Sequence, residues 1–186
     1  MLQCTISRTA GGRAGTCQAR HPSGFTLIEI IVVVVILAIA AAMVVPMMSS
    51  GSATKTLAAA QMVAADLEYA KSMAVSRGRP YGVTFDADAE RYQVEEGNQV
   101  THIWTVIDHP VNKGFDYVTN FNEGRLDGVQ IVSTDFDGTN QVRFDHLGSP
   151  HDGDDNPLNS GVITLRADSF TQTIRVTPVT GVITIE

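Results

Sequence analysis

The chain has 186 residues, of which 20 are Asp or Glu and 13 are Lys or Arg, giving a formal net charge of -7 at pH 7. An acidic exterior disfavours polyanions, so the composition argues against nucleic acid as a partner. Both cysteines, Cys4 and Cys17, precede the longest apolar run, so the rest of the chain offers no disulfide, thiol nucleophile or thiolate metal site.

An apolar run from Ile30 to Val45 follows a Gly-Phe-Thr-Leu-Ile-Glu motif at residues 24–29. A helix over residues 25–48, rising about 1.5 Å per residue, would exceed the hydrocarbon thickness of about 30 Å. Arginines but no acidic residues precede the motif, and the first charge after the run is Lys55. The positive-inside rule therefore predicts one membrane span with a cytoplasmic N-terminus and an extracytoplasmic C-terminal part.

Glu29 is a carboxylate at the head of this apolar helix. An acidic residue inside a bilayer costs about 2.5–3.5 kcal/mol on insertion scales. The helix N-terminus favours negative charge and the membrane interface supplies water, and both reduce this cost. A cut between Gly24 and Phe25 would add a third compensation, because the new amino group would lie within about one turn of Glu29. Pro46 lacks a backbone donor and is predicted to kink the helix.

Residues 49–78 predict an amphipathic helix rich in alanine, which Gly78 and Pro80 would end. Its apolar side chains recur at steps of three and four residues and should pack on a globular domain. This stripe consists of Leu57, Ala60, Ala64, Leu67, Ala70 and Ala74. The charged positions off the stripe, which we expect to face solvent, are Asp66, Glu68, Lys71 and Arg77.

Residues 79–186 have the pattern of short strands rich in branched and aromatic residues and bounded by turn formers. Such a series favours an antiparallel sheet or a small β-sandwich over an alternating α/β arrangement. The sequence thus predicts an α+β fold, in which a long N-terminal helix, with a transmembrane half (25–48) and an amphipathic half (49–78), packs on a C-terminal β domain. Hairpin loops are predicted at 96–98 and 178–181. The predicted strands cover residues 81–85, 91–95, 100–107, 129–134, 141–144, 161–166, 171–177 and 182–185.

One loop crowds three carboxylates and an amide together, at Asp152, Asp154, Asp155 and Asn156. Oxygen ligands at alternating positions resemble the opening of a calcium-binding loop, but no bidentate Glu follows at the usual distance. A solvated acidic loop is therefore the favoured interpretation, with a Ca²⁺ site as the alternative.

Two pairs of neighbouring carboxylate and imidazole groups, Asp108-His109 and Asp145-His146, are the nearest approach to hydrolase chemistry. Neighbours in a strand point to opposite faces, and no nucleophile elbow, metalloprotease helix or phosphate loop is present. The sequence therefore predicts no enzymatic activity. Trp104 is expected in the core or on a sheet surface. DNA binding is disfavoured because the arginines of the C-terminal strands are scattered among acids, at Arg143, Arg166 and Arg175.

The motif and the apolar run resemble the N-terminus of type IV pilins and type II secretion pseudopilins. In those families a membrane-embedded aspartyl peptidase cuts after the Gly and methylates the new N-terminus. The resemblance implies that residues 1–24 are a cytoplasmic leader peptide, that cleavage falls between Gly24 and Phe25, and that Phe25 is N-methylated. It also implies a role for Glu29 in assembly, and it places Pro46 where many pilins carry a helix-loosening proline.

A second resemblance lies at the C-terminal end, in residues 143–150, 161–165, 174–176 and 180–183. These resemble the closing strands of GspH/FimT-type minor pseudopilins, with a phenylalanine strand, a Gly-x-Pro turn and a Thr-Gly hairpin. The implied function is that of a minor pseudopilin of a type II secretion system, a structural subunit of the periplasmic pseudopilus that helps export folded proteins. The alternative is a minor pilin of a type IV pilus, acting in adhesion, pilus priming or DNA uptake.

The resemblance also implies partners and a location. The partners are other pseudopilins or pilins through the N-terminal helix, the prepilin peptidase, and secreted proteins or the outer-membrane channel. The location is the inner membrane, crossed once, with the C-terminal domain in the periplasm. Residues 86–137 match neither resemblance.

Overall fold

The computed structural model describes residues 24–44, 50–98, 100–101 and 103–186. The chain divides between Ala42 and Met43 into two compact units.

The first unit contains most of helix α1 (Leu27–Val44). Thr26 caps this helix, because its hydroxyl and carbonyl oxygens accept the Glu29 backbone N–H at 3.3 and 3.1 Å. Within the described ranges, no helix is both long and apolar enough to cross a membrane. The predicted span at 25–48 runs beyond Val44, and the predicted kink at Pro46 lies outside the described residues.

Helix α2 (Ser50–Arg77) lies in the second unit and ends at Gly78, whose φ of 64° no longer fits a helix. Its buried face differs from the predicted stripe, since Leu57 is exposed and Ala64 only half-buried. Asp66, predicted to face solvent, is buried. It is in phase with the buried positions three residues before it and four after it, and its carboxylate has partners in the core. The side chains that α2 buries are Thr56, Ala59, Ala60, Val63, Asp66, Leu67, Ala70 and Ala74.

The described residues after α2 form ten strands and a short 3-10 helix at Gly124–Leu126. Seven of the eight predicted strands match these within about two residues. The predicted strand at 100–107 is limited to 104–106, and two very short strands had no predicted counterpart. The strands are β1 (Tyr81–Asp86), β2 (Arg91–Gly97), β3 (Trp104–Val106), β4 (Val118–Asn120), β5 (Gln130–Phe136), β6 (Gln141–Phe144), β7 (Pro150–His151), β8 (Gly161–Ala167), β9 (Phe170–Val176) and β10 (Ile183–Ile185).

Two antiparallel sheets result. The first has the order β3-β2-β1-β6-β7, with β4 also paired to β2, and the second has the order β10-β9-β8-β5. Burial alternates along β8, and in β1 Tyr81, Val83 and Phe85 are buried while Thr84 lies on the opposite face. The predicted hairpin loops at 96–98 and 178–181 do connect antiparallel neighbours, although β2 runs as far as Gly97.

Helix α2 packs on strands of both sheets, including β1 and β2 of the first and β8, β9 and β10 of the second. Its small alanine side chains permit this close approach on two sides. Aromatic residues fill the space between the elements, and the rings of Phe85 and Phe136 stack with centroids 5.8 Å apart. The prediction of an α+β fold with a helix packed on antiparallel sheet is confirmed.

Candidate functional site

The N-terminal motif starts in extended chain and enters α1. Gly24 and Phe25 precede the helix, and the Phe25 side chain is 79% exposed. A Cβ atom placed on Gly24 would meet no other heavy atom within 4 Å. Glu29 lies in the first turn of α1 and is exposed. The described part of the motif is thus open to an approaching protein at the Gly24–Phe25 bond, whereas the rest of the proposed leader lies outside the described residues.

Asp66 of α2 joins the helix to the first sheet through hydrogen bonds inside the core. Its Oδ2 accepts from the Tyr92 hydroxyl at 2.6 Å, and its Oδ1 accepts from the Tyr117 hydroxyl at 2.7 Å. The ring of His109 packs on that of Tyr117 with centroids 4.6 Å apart. Asp66, Tyr92, Tyr117 and His109 are called the Asp66 cluster below.

Burial dominates the electrostatics of this cluster. It raises the pKa of Asp66, because the hydrogen bonds from the two tyrosines and the charge of His109 only partly offset the loss of water. Burial and the adjacent carboxylate raise the pKa values of Tyr92 and Tyr117 above their ordinary value. The hydroxyls therefore remain protonated donors across the physiological range, as a structural clamp requires.

A groove of about 740 Å³ lies beside the C-terminal half of α2 and the β2–β3 hairpin. Glu96 within it accepts from the Tyr81 hydroxyl at 2.7 Å and from Arg79 at 2.8 Å, with Arg77 at 3.9 Å. The hydrogen bond from Arg79 lowers the pKa of Glu96, while burial followed by the Glu96 carboxylate raises the pKa of Tyr81 to about 12. Neither group titrates near neutral pH, so this set is unsuited to general acid–base chemistry.

The Gly-x-Pro turn and the Thr-Gly hairpin of the C-terminal resemblance lie against each other. Gly148 (φ 83°) and Gly181 (φ 59°) both adopt left-handed backbone conformations. A Cβ on Gly181 would lie 3.0 Å from the Gly148 carbonyl oxygen, and Lys71 of α2 donates to the Gly181 carbonyl at 2.9 Å. Lys71, predicted to face solvent, is therefore half-buried over this junction. The two turns form a structural joint beneath α2.

The acidic loop is organised by Asp152, which is 4% exposed. Its Oδ1 accepts from the backbone N–H groups of Asp154 and Asn156 at 2.9 and 2.8 Å, and its Oδ2 accepts from the Asn156 side chain at 3.0 Å. Burial alone would raise the pKa of Asp152, but these hydrogen bonds and the charge of Arg143 lower it. Asp154 and Asp155 are exposed. Among the described residues, no group of three or more acidic, His or Cys side chains is placed to hold a metal ion.

Both Asp-His pairs serve the local backbone. His109 accepts the N–H groups of Val111 and Asn112 at its Nδ1, both at 3.1 Å. Asp145 accepts the N–H groups of Leu147 and Ser149 at 2.9 and 2.8 Å. One member of each pair, His109 or Asp145, therefore shapes a turn, which is a common role of such side chains in loops.

Comparison with known proteins agrees with this architecture. The profile of the family described as "Type II transport protein GspH" matches residues 59–181, and the "Prokaryotic N-terminal methylation motif" matches residues 19–45. No curated protein sequence matches significantly.

Solved structures with low sequence identity to this chain are also similar to it. The minor pseudopilin EpsH from the Type 2 Secretion System of Vibrio cholerae is similar with a TM-score of 0.53 and 13% identity, over 71% of this chain and 96% of that chain. A second EpsH structure gives a TM-score of 0.52 and 12% identity, over 72% and 94% of the two chains. The type IV minor pilin FimU of Pseudomonas aeruginosa has a TM-score of 0.46 and 15% identity, over 72% and 89% of the two chains.

The family match extends from the middle of α2 to the turn that joins β9 and β10, and so includes the Asp66 cluster and both C-terminal turns. The chain belongs to the GspH family of type II transport proteins, whose members are minor pseudopilins and pilins.

Proposed function

We propose that this protein is a minor pseudopilin of a type II secretion system, a structural subunit of the periplasmic pseudopilus that helps export folded proteins. The observation that carries this proposal is the GspH match over residues 59–181, on a fold similar to that of the secretion pseudopilin EpsH. The role is structural and not enzymatic, which agrees with the use of His109 and Asp145 by local turns.

Processing is the first step of the proposed mechanism. The prepilin peptidase would cut between Gly24 and Phe25 and methylate the new N-terminus of Phe25. The match of residues 19–45 to the methylation motif supports this step, as does the exposure of both residues ahead of α1. Residues 25–48 would then anchor the chain in the inner membrane with the β domain in the periplasm.

Assembly is the second step, and it depends on Glu29. Moving an apolar helix from lipid into a filament exchanges one apolar environment for another, so the net gain must come from packing and polar contacts. The Glu29 carboxylate would pair with the Phe25 amino group of a neighbouring subunit, where partial burial strengthens the attraction. No ion pair of the described residues already involves Glu29, which leaves it available.

Replacing Glu29 tests this step. Glu29→Ala should leave membrane insertion unchanged and reduce incorporation into filaments by about tenfold or more, because a partly buried ion pair is lost. Crosslinking to other pseudopilins in intact cells measures incorporation, and carbonate extraction measures insertion. Glu68→Ala, which removes an exposed carboxylate on α2, is the matched control. Normal incorporation of Glu29→Ala would refute the proposed pairing between Glu29 and the Phe25 amino group.

Deleting the gene in its host distinguishes a role in type II secretion from a role in a type IV pilus. The proposal expects secreted proteins to accumulate in the periplasm of an intact envelope while surface pili remain. Unchanged secretion with loss of pili, twitching or transformation would instead assign the protein to the type IV pilus. Further partners proposed for the secretion role are the secreted proteins or the outer-membrane channel.

A further inference from the structure

The first sheet has an outer face, opposite the one that packs on α2, on which side chains of neighbouring strands contact each other. Gly82 of β1 pairs with Glu95 of β2 and with Arg143 of β6, and Gly97 pairs with Trp104 of β3. Because side chains alternate along strands, the side chains at these register positions share one face.

Two glycines give Trp104 its place on this face. A Cβ on Gly97 would lie 2.9 Å from Cζ2 and Cη2 of the indole, and a Cβ on Gly82 would lie 3.1 Å from Cζ3. Glycine weakens a strand and often marks the close approach of another group. The indole therefore lies directly on the backbone of the sheet.

Arg143 is fixed above this indole. Its guanidinium carbon is 4.7 Å from the ring centroid, and its Nε donates to Oε1 of Gln141 at 2.8 Å. These contacts orient the plane of the guanidinium and leave its two terminal nitrogens without a hydrogen-bond partner among the described residues.

Neighbouring carboxylates are already occupied. Glu95 is 7% exposed and accepts from Thr84, Gln141 and Gln93 at 2.7, 2.8 and 2.6 Å. Gln141 thus bridges Glu95 and Arg143 by hydrogen bonds, and the two charged groups form no direct ion pair. Asp152 feels the charge of Arg143, but the acidic loop uses its oxygens.

Four other arginines pair with carboxylates directly, whereas Arg125 and Arg166 do not in the described part of the chain. Arg91 pairs with Asp86 at 3.2 Å, Arg79 with Glu96 at 2.8 Å and Arg175 with Glu186 at 3.4 Å. Arg143 is absent from the ion pairs of the described residues, even though the sequence carries 20 acidic side chains. An oriented guanidinium without a carboxylate is complementary to an external one.

A depression of about 420 Å³ surrounds this group, with Pro80, Asn98, Trp104, Arg143, His146 and His151 in its lining. Two acidic residues also line it. Asp145 is used as a turn cap, and Asp155 is 4.0 Å from Nδ1 of His151. The depression thus combines an aromatic surface, a fixed cation, two imidazoles and two carboxylates, of which that of Asp145 is used by its own turn.

We propose that this depression binds an acidic segment of a partner protein, with one carboxylate held by the terminal N–H groups of Arg143 and an adjacent apolar side chain on Trp104. The fork of a guanidinium matches the two oxygens of a carboxylate, and the indole supplies apolar contact beside it. A segment with one or two carboxylates suits a single guanidinium better than a nucleic acid, which would bring many phosphates against a chain of net charge -7. This inference does not depend on which filament system the protein serves.

The single tryptophan of the chain makes the site directly observable, since Trp104 emission reports binding beside it. The test uses the full chain in detergent micelles and a blocked octapeptide of glycine and serine that carries a leucine between two glutamates. A counterpart with glutamine in place of glutamate is the control ligand. We expect the acidic peptide to change Trp104 emission and to bind at least about tenfold more tightly than the amide peptide.

Two variants locate the contact. Arg143→Gln should weaken binding of the acidic peptide by about tenfold or more, and Arg166→Gln should leave it within about twofold. Arg166 is a matched control, because it also donates to a glutamine and lies exposed, but on the second sheet. Circular dichroism checks that both variants fold, and the two peptides on the wild-type chain need no variant at all. Equal affinity for both peptides, equal loss in both variants, or no binding of the acidic peptide at millimolar concentration would each overturn the proposal.

Discussion

Tyr92→Phe and Tyr117→Phe each remove one hydroxyl that donates to the buried Asp66 carboxylate. The two hydrogen bonds are 2.6 and 2.7 Å long, and Asp66 is 9% exposed, so water does not readily replace either donor. A hydrogen bond to a charged group contributes about 1.5–3 kcal/mol, and we expect each variant to lose that much stability. For a chain of this size such a loss lowers Tm by about 3–12 °C.

Thermal unfolding of the full chain in detergent, followed by circular dichroism, measures these losses. Tyr69→Phe is the matched control, because Tyr69 packs on Tyr117 with ring centroids 5.7 Å apart, while its hydroxyl makes no hydrogen bond among the described residues. Its cost should stay below about 0.5 kcal/mol. The double variant Tyr92→Phe/Tyr117→Phe should cost less than the sum of the single variants, because a carboxyl group that has lost one donor is more easily protonated. Losses in Tyr92→Phe and Tyr117→Phe no larger than in Tyr69→Phe would refute the role assigned to the cluster.

The pH dependence of stability gives an independent check. Since burial raises the pKa of Asp66 in the folded state, its contribution to stability is fully present below the unfolded pKa of about 3.9. That contribution is lost as pH rises through the folded pKa. Asp66→Asn keeps the shape without the titration, so the variant should gain stability relative to wild type as pH rises from about 3 to about 7. Urea unfolding across this range measures the difference, and a relative gain by wild type would contradict the assigned direction.

Three further predictions concern turns. Gly181→Ala should destabilise the fold by about 2–4 kcal/mol, because the new Cβ adds left-handed strain and contacts a backbone oxygen. The control Gly138→Ala, which also has a positive φ but open space around it, should cost only about 1–2 kcal/mol. Equal losses of stability in thermal unfolding would be evidence against the joint. Val179→Asn should stabilise by about 1 kcal/mol, because a β-branched residue is strained at its φ of 65°, while Val182→Asn should bring no gain in the same assay. Adding millimolar CaCl₂ should change Tm by less than about 1 °C, because the turn already uses the Asp152 oxygens; a larger rise would restore the Ca²⁺ alternative.

Much of the fold follows from local patterns. The alternation in β1, β8 and β9 and the turn formers between them predict the strands, because burial of one face dictates a period of two. The short strands β4 and β7 contain only three and two residues, so they present no periodicity and depend on pairing with β2 and β6. Tertiary partners, and not local sequence, create them.

The wrong predictions of solvent exposure for polar residues have a different cause. The charge of Asp66 predicts a solvent-facing position, because charge is normally excluded from a helix stripe, yet Asp66 keeps the spacing of Val63 and Ala70. Its acceptors are satisfied by tyrosines 26 and 51 residues away in sequence, a distance no local pattern spans. Strand glycines are the available signal for the outer face, since Gly82 and Gly97 lie in paired strands and leave room for the indole of Trp104.

The C-terminal turns contribute stability to this protein, whereas the outer face of the first sheet is available for binding a partner. Gly148, Gly181 and Lys71 form a joint whose contacts are backbone carbonyls and left-handed turns, so any chain with this packing needs similar residues there, whichever filament it joins. Trp104 and Arg143 instead pack on each other and on the strand glycines of the outer face, and the fold would tolerate other side chains at those positions at modest cost. Choice of partner should therefore change with substitutions at Trp104 and Arg143, while substitutions at the joint should change stability alone.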